Sequence, residues 1–539
     1  MKAMPRSAAE GESEPAGDRM PQSRTIGELL YALAERYATV WFLLLLGLFC
    51  AASFSGSLQK HFWYDEISTI TVASQPTWHR FVQAMPADAN PPVSALLTRL
   101  SMHLFGITII GVRLPPLVGF VSALIGVFIF VRREAGAVLA LLAVTLVMAQ
   151  PAWTYSFEAR PYGLILGFLM LGMVSWQSAT RAEDAHSPRR RTLALAGVAA
   201  SVAGCILTHH LGVVDIGVPL LFGEGVRLYT RRRFDWPLMA TAVISAVCSL
   251  AVTVPMMHKT NALLLAHLPA VTIHRFAAYI SLARTSLHAV LDVGLIGFLA
   301  CIWILALSPK FLRLSNVESK GETGRIGARI APHIFAASVG LTLLIPFTFL
   351  LMATQGGWYF SRYGIGSILG IAILSSLVLS RQGRQSRLLT VVLLTYLACC
   401  FLGAFLVSAR HSGYDPLGRL VYENKTDLPV VISDPLLYPE IWWYAPAEMK
   451  DRLVYLSATP RSLEPGSAMV AAALVADKPF MAAPMMDYDP YIASHDHFLL
   501  DIGPMDADLE ESLQSSGYRV TQLESQGKET LFDVERERK

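Results

Sequence analysis

The feature that most limits how this chain can fold is a series of long stretches with almost no charge. They run over 39–58, 114–131, 136–152, 163–179, 193–209, 211–226, 237–256, 289–308, 331–353, 364–380 and 388–408. A bilayer's hydrocarbon core takes about 20 apolar residues of helix to cross. Backbone amides inside it have no water to bond, so such stretches are expected to be helices that bond within themselves. The whole chain is 53% hydrophobic and 16% charged, whereas soluble domains carry about 25% charged residues. The expected class is an all-α polytopic membrane protein of about 11 transmembrane helices.

A further apolar stretch, "NPPVSALLTRLSMHLFG" (90–106), is short for a crossing and carries Arg99 and His103. Charge in the loops decides between a crossing and an interfacial helix. If 90–106 does not cross and the N-terminus is cytoplasmic, five basic segments fall inside: 132–134, 181–191, 227–233, 309–329 and 381–387. The outer loops then hold scattered Arg160, Lys259, Arg275, Arg284 and Arg362. A crossing at 90–106 would reverse this bias, against the positive-inside rule. Residues 59–113 are therefore expected as a long first exterior loop, and the C-terminus is expected outside.

Both ends of the chain are polar. Residues 1–38 read as a disordered cytoplasmic tail, opening with "MKAMPRSAAEGESEPAGDRMPQSRT", which lacks the apolar centre of a cleavable signal. Residues 39–408 form the membrane part, and 409–539 read as a small exterior α/β domain. In that domain "LPVVISD" and "DRLVYL" look like strands on either side of a helical pattern. The six cysteines all lie in apolar stretches without metal-ligand spacing, which suits buried thiols rather than a disulfide framework.

Polar residues concentrate where the exterior loops meet the helices. "WYDEIST" (63–69) carries Asp65 and Glu66, and "AQPAWTYSFEARPYGLI" (149–165) carries Glu158, Arg160 and Tyr162. "THH" (208–210), "HKTN" (258–261) and "TQGGWYFSRYGIG" (354–366) add His209, Lys259, Arg362 and Tyr363. Each piece also has a plainer reading. Adjacent acids can cap a following helix, interfacial arginines snorkel to headgroups, and Trp and Tyr form an aromatic belt. His209 and His210 are neighbours, so on a helix they point about 100° apart and poorly suit one metal.

The order of these groups carries a resemblance. An acidic pair after the first span (Asp65–Glu66) is followed by Pro91–Pro92, "LFGITIIGVRLPPLV", "QPAWTYSFEARPYGL", "THHLG" and "WYFSRYGI". This series resembles the GT-C glycosyltransferases. In particular it is similar to the bacterial relatives of the protein O-mannosyltransferases and aminoarabinose lipid A transferases, including the Rgt-type lipopolysaccharide galacturonosyltransferases. The resemblance covers roughly residues 40–380 and is strongest in the first 170. It departs from the family pattern at Gln150–Pro151 and at "RLPPL". It implies that 90–106 forms juxtamembrane helices of the first loop, in agreement with the charge argument.

The resemblance further implies transfer of a sugar from a polyprenyl-phosphate donor to a lipid, glycan or protein acceptor at the exterior face of a bacterial inner membrane. No nucleic acid is among the expected partners. Asp65 would be the base that takes the acceptor hydroxyl's proton. Glu66 would be a second acid that orients Asp65, binds the acceptor or helps hold a divalent cation with Asp65 and Glu158. Arg160 and Arg362, and more weakly Lys259, would neutralise the lipid phosphate. Glu158, Tyr162, His209 and Tyr363 would line the substrate. Two readings of other classes stay open at this point: a transporter or lipid flippase, and a non-catalytic membrane scaffold. An Asp65→Asn protein that still transfers sugar would remove the base assignment.

Overall fold

The computed structural model describes residues 26–537 apart from 89, 185–186, 266–329, 356–360, 382–384, 411–417, 458–464, 504–508 and 528. The expected crossing at 289–308, the tail residues 1–25 and the loop residues Arg275 and Arg284 lie outside the described residues. Helix α1 (Ile26–Arg36) leads into α2 (Ala38–Gln59), and the loop that follows holds α3 (Tyr64–Ala73), α4 (Trp78–Ala84) and α5 (Pro92–Phe105). The bundle continues with α6 (Ile109–Ala135), α7 (Ala137–Met148), α8 (Tyr162–Asp184), α9 (Pro188–Thr208), α10 (Gly212–Arg231) and α11 (Trp236–Leu265). After the undescribed segment come α12 (Pro332–Thr342), α13 (Leu344–Gln355), α14 (Ser367–Ser380) and α15 (Gln385–Arg410). Every expected crossing other than 289–308 falls on these helices.

Six of them, α2, α6, α8, α9, α11 and α15, are long and apolar enough to cross a bilayer alone, which makes this a membrane protein. The pair α12–α13 makes a seventh, bent by 49°. Pro346 explains that break: it has no N–H to give and its ring clashes with the carbonyl four residues back. The N–H of Ile345 is taken instead by the Ser367 hydroxyl at 3.1 Å. Helix α7 has 12 residues, all buried, so it is about 18 Å long against a core of roughly 30 Å. At the expected crossing 136–152 the chain runs through the bundle as a short interior helix followed by a 3-10 turn over Pro151–Ser156.

The tail expected over 1–38 also ends sooner than its composition suggested, because Ile26–Arg36 is helical. Its Glu35 carboxylate accepts from the N–H groups of Ala137 and Val138, both at 2.9 Å. Two amides that open α7 without an intrahelical partner are satisfied this way. Elsewhere the bundle closes on small residues. A Cβ at Gly163 would lie 2.2 Å from the Pro116 carbonyl oxygen, and one at Gly119 would lie 2.5 Å from that of Gly163. Backbone therefore touches backbone where α6 meets the start of α8, and the site residues that precede α8 are held against α6.

The two ends of the bundle differ. At one end the basic loop residues are paired with acids: Arg181 with Glu134 at 2.7 Å, Arg191 with Asp235 at 2.6 Å, and Arg227 with Glu224 at 2.8 Å and Asp235 at 3.2 Å. At the other end α3, α4 and α5 meet the C-terminal α/β region. That region contains α16 (Arg419–Glu423), α17 (Tyr438–Tyr444), α18 (Ala447–Lys450), α19 (Pro465–Asp477), α20 (Tyr488–Ser494) and α21 (Leu509–Ser515). Its strands are β1 (Val430–Ile432), β2 (Leu453–Ser457), β3 (Met485–Asp487), β4 (His497–Ile502), β5 (Tyr518–Gln526) and β6 (Glu529–Arg536), in the order β3-β2-β1-β4-β6-β5. The first four pair in parallel, and β5–β6 is an antiparallel hairpin on β4. The strands expected in "LPVVISD" and "DRLVYL" are β1 and β2. Tyr64 of α3 is buried in this region's core beside Tyr438, Ile441 and Tyr455.

Candidate functional site

Helix α3 starts where the apolar run of α2 ends. Trp63 is extended, with φ −101° and ψ 172°, and its side chain makes no cap. Asp65 and Glu66 sit in the first helical turn, about 100° apart around the axis, and they face different surroundings.

Glu66 points inward and is fully buried. Its carboxylate accepts from Arg113 Nε at 2.8 Å, from Arg113 Nη2 at 2.7 Å and from the Ala159 N–H at 2.7 Å. Arg113, near the start of α6, uses its remaining donors on the carbonyls of Ser57, Lys60 and His61 at 2.7–2.9 Å. All five guanidinium N–H groups are thereby satisfied. Glu66 joins α3, α6 and the segment before α8 into one unit and does not share the surroundings of Asp65. Arg113 was given no role from the sequence, although it stands in the motif "LFGITIIGVRLPPLV" that carries the resemblance.

Asp65 faces the cations. Its Oδ2 is 3.2 Å from Arg160 Nη2 and 3.8 Å from Arg362 Nη2. Arg160 comes from the short segment before α8, and Arg362 from a 3-10 turn, Ser361–Gly364, before α14. Burial works against the Arg160 charge, but Asp65, Tyr162 and Asp88 outweigh it and hold its proton more tightly than usual. The Arg362 guanidinium lies 5.9 Å over the Tyr162 ring. Nearby, His209 stands 5.8 Å from the Tyr162 ring and 5.4 Å from the Tyr363 ring. His209 follows the last residue of α9, and its Nδ1 accepts from the Leu211 N–H at 3.3 Å, which leaves the ring proton on Nε2. Burial first, then His210, Arg160 and Arg362, push its pKa down to about 3, so the ring is neutral. Asp65, Arg160, Arg362, Tyr162, His209 and Tyr363, from four separate segments of the chain, therefore converge.

The remaining expected residues do not join them. Glu158 is paired with Lys60, whose ammonium also lies 5.5 Å over the Trp63 ring. Lys259 is exposed near the end of α11, where the neighbouring Thr260 hydroxyl donates to the Pro86 carbonyl at 2.9 Å. Asp65, Glu66 and Glu158 are each tied to a different cation, and no metal-binding group of three such side chains occurs among the described residues. These carboxylates do not fit a shared divalent ion.

One acid belongs to the cluster that sequence reasoning passed over. Asp88 is 5% exposed, in the loop just before Pro91–Pro92. Its Oδ1 accepts from the Thr69 hydroxyl at 3.1 Å, and the same hydroxyl lies 3.1 Å from the Asp65 carbonyl. Its Oδ2 has no hydrogen-bond partner among the described residues. Burial, opposed by Arg160 and the Thr69 bond and reinforced by Asp65, pushes its pKa up to about 6. Deeper in the bundle, an apolar cavity of about 180 Å³ lies between α8, α9, α10 and α11, lined by Ile206, Val213, Ile216, Leu220, Val202 and Trp176 among others.

No family model matches the chain, and no curated relative matches it by sequence. Solved structures do match. ArnT from Cupriavidus metallidurans bound to undecaprenyl phosphate superimposes with a TM-score of 0.56 at 13% identity, over 92% of this chain and 98% of that one. The apo form of the same protein gives 0.55 at 13% identity, with the same coverage. The chain thus has the fold of ArnT.

Proposed function

We propose that this protein is a membrane glycosyltransferase that moves a sugar from a polyprenyl-phosphate donor to a cell-envelope acceptor at the exterior face of the membrane. The observation that carries this reading is a carboxylate, Asp65, set between the guanidiniums of Arg160 and Arg362 at the loop end of the bundle. The likeness in fold to ArnT, which was solved with undecaprenyl phosphate, supports it. The described basic segments 132–134, 187–191 and 227–233 lie at the opposite end, and by the positive-inside rule the site then faces outward. On this reading residues 39–408 form the transferase and 409–539 an exterior domain.

The reaction is an inverting displacement. The acceptor hydroxyl oxygen forms a bond to the anomeric carbon while the bond from that carbon to the phosphate oxygen breaks. The hydroxyl proton passes to Asp65, and the bonding pair leaves with the polyprenyl phosphate. The phosphate gains one negative charge in this step, so Arg160 and Arg362 bind it more strongly in the transition state than in the donor. Asp65 is their counter-ion in the structure; the donor phosphate takes that place and releases the Asp65 oxygen to the acceptor. Asp88, through its unpartnered Oδ2, takes a sugar hydroxyl. His209, through its Nε2 proton, and the Tyr162 and Tyr363 rings form the wall against which the sugar rests. Glu66 and Glu158 position the segments that carry these groups. The apolar cavity between α8, α9, α10 and α11 suits part of an isoprenoid tail.

The test is a mass-spectrometric comparison of cell-envelope glycans from cells with the protein, without it, and with Asp65→Asn. A sugar present only with the wild type supports the reading. Identical glycans in all three would remove it.

A further inference from the structure

Resting on that reading, we propose that the C-terminal α/β region is part of the catalytic machinery: Glu440 and Asp477 are positioning residues that fix the helix carrying Asp65. Helix α3 is only ten residues long, too short to be stable on its own, and its N-cap residue supplies no side-chain bond. The missing cap comes from across the chain. The Glu440 carboxylate of α17 accepts from the Tyr64 N–H at 3.1 Å, one residue before Asp65. It places a negative charge at the positive end of the helix.

One turn further along α3, the Ser68 hydroxyl donates to Asp477 Oδ2 at 2.8 Å. Asp477 ends α19 and is 1% exposed. Ser68 is three residues after Asp65, so it lies on the neighbouring part of the same face. The two bonds therefore fix both where α3 begins and how it is turned about its axis. Apolar contacts act in the same sense: Trp443 and Met481 pack against the cluster of Ile67 and Ile70. At the far end, Gln75 Nε2 donates to the Phe480 carbonyl at 3.0 Å. The membrane part closes the arrangement, because the Arg99 guanidinium caps the end of α3 on the carbonyls of Ala73 at 2.8 Å and Gln75 at 2.6 Å. Asp65 thus stands on a helix gripped by two parts of the chain, and its distance to Arg160 and Arg362 depends on both.

The experiment uses the full chain in lipid nanodiscs, with Ser68→Ala, Asp477→Ala, Asp477→Asn and Glu440→Gln. Two quantities are read: the dissociation constant for undecaprenyl phosphate, and the single-turnover rate of sugar transfer from the lipid-linked pool extracted from native membranes. Misplacing a reacting group by about 1 Å can cost up to ~100-fold in rate. Ser68→Ala and Asp477→Ala are each expected to slow transfer about tenfold and to leave undecaprenyl phosphate binding unchanged. Their combination should be no slower than either alone, and Asp477→Asn, which keeps an acceptor oxygen, should recover most of the rate. Glu440→Gln should behave like Asp477→Asn. Ser68→Ala removes a single oxygen from the membrane part, so it keeps the test open if an Asp477 variant fails to fold. Transfer at the wild-type rate in Ser68→Ala overturns the positioning role while the transferase reading stands. Equal loss of binding and rate overturns it too, by showing a general structural effect. If the wild type transfers no more sugar than nanodiscs without protein, it is the transferase reading that fails.

Discussion

At the scale of single residues, two adjacent acids have opposite duties. Asp65 is partly exposed and shared between two guanidiniums, while Glu66 is wholly enclosed by Arg113 and one backbone amide. Two expected outcomes separate them. Asp65→Asn should abolish transfer and also bind undecaprenyl phosphate more tightly, by about tenfold, because the anion that competes for Arg160 and Arg362 has gone. Titration of the purified variant checks this, and the gain should shrink as salt rises. Unchanged or weaker binding would show that Asp65 is no counter-ion for the phosphate site. Arg113→Leu leaves a buried carboxylate unpaired, which typically costs about 3–5 kcal/mol. The measurement is thermal unfolding in detergent, and a Tm near that of the wild type would contradict the buried-pair account. The sequence pointed to Asp65, Arg160 and Arg362 through their order and membrane placement. The resemblance made Asp65 the base and Glu66 a second acid near it, but the burial of Glu66 against Arg113 was not legible, because which side of α3 faces Arg113 is settled by packing.

At the scale of elements, α3 depends on its neighbours for nearly everything a helix needs. Its caps come from Glu440 and Arg99, and its side contact from Asp477. Burial, opposed by the Ser68 bond and reinforced by Asp88, pushes the Asp477 pKa up to about 7, well above the usual carboxylate range. A carboxyl whose folded pKa is raised contributes stability that is fully present below its unfolded pKa and is lost as pH rises through the folded value. The contact between α19 and α3 should therefore weaken from about pH 4 to pH 7. Asp477→Asn, which mimics the protonated form, should lack that decline. Unfolding temperatures of both proteins across this range test it, and parallel curves would sink the assignment. None of these partners was visible in sequence, since 376 positions separate Tyr64 from Glu440 and 409 separate Ser68 from Asp477. The short helix α7 and the bend at Pro346 were likewise hidden inside apolar stretches that read as ordinary crossings.

At the scale of the molecule, the bundle has one end rich in paired arginines and another that carries the site and the α/β region. The orientation reading makes a direct prediction. A reporter fused after residue 135 should be active in the cytoplasm, and one fused after residue 410 should be active outside; the reverse pattern would invert the map. The same experiment checks the interfacial placement of α5, because a crossing there would swap both results. Its 14 residues reach only about 21 Å along the axis.

The sequence by itself determined the class of the protein. Runs of apolar residues have few alternatives to helices in lipid, and the placement of Arg and Lys in the loops set an expected direction for those helices. It also determined the order of the polar groups that meet at the site, which is why the GT-C resemblance could be read despite 13% identity to the solved structures. The tertiary structure alone decided which groups touch. It brought Asp88 beside Asp65, gave Glu66 to Arg113 and Glu158 to Lys60, and set the C-terminal region against α3. The physical reason is that apolar burial responds to composition along the chain and is largely local in its signal. A hydrogen bond or ion pair depends on a few tenths of an ångström between atoms that the fold alone brings together.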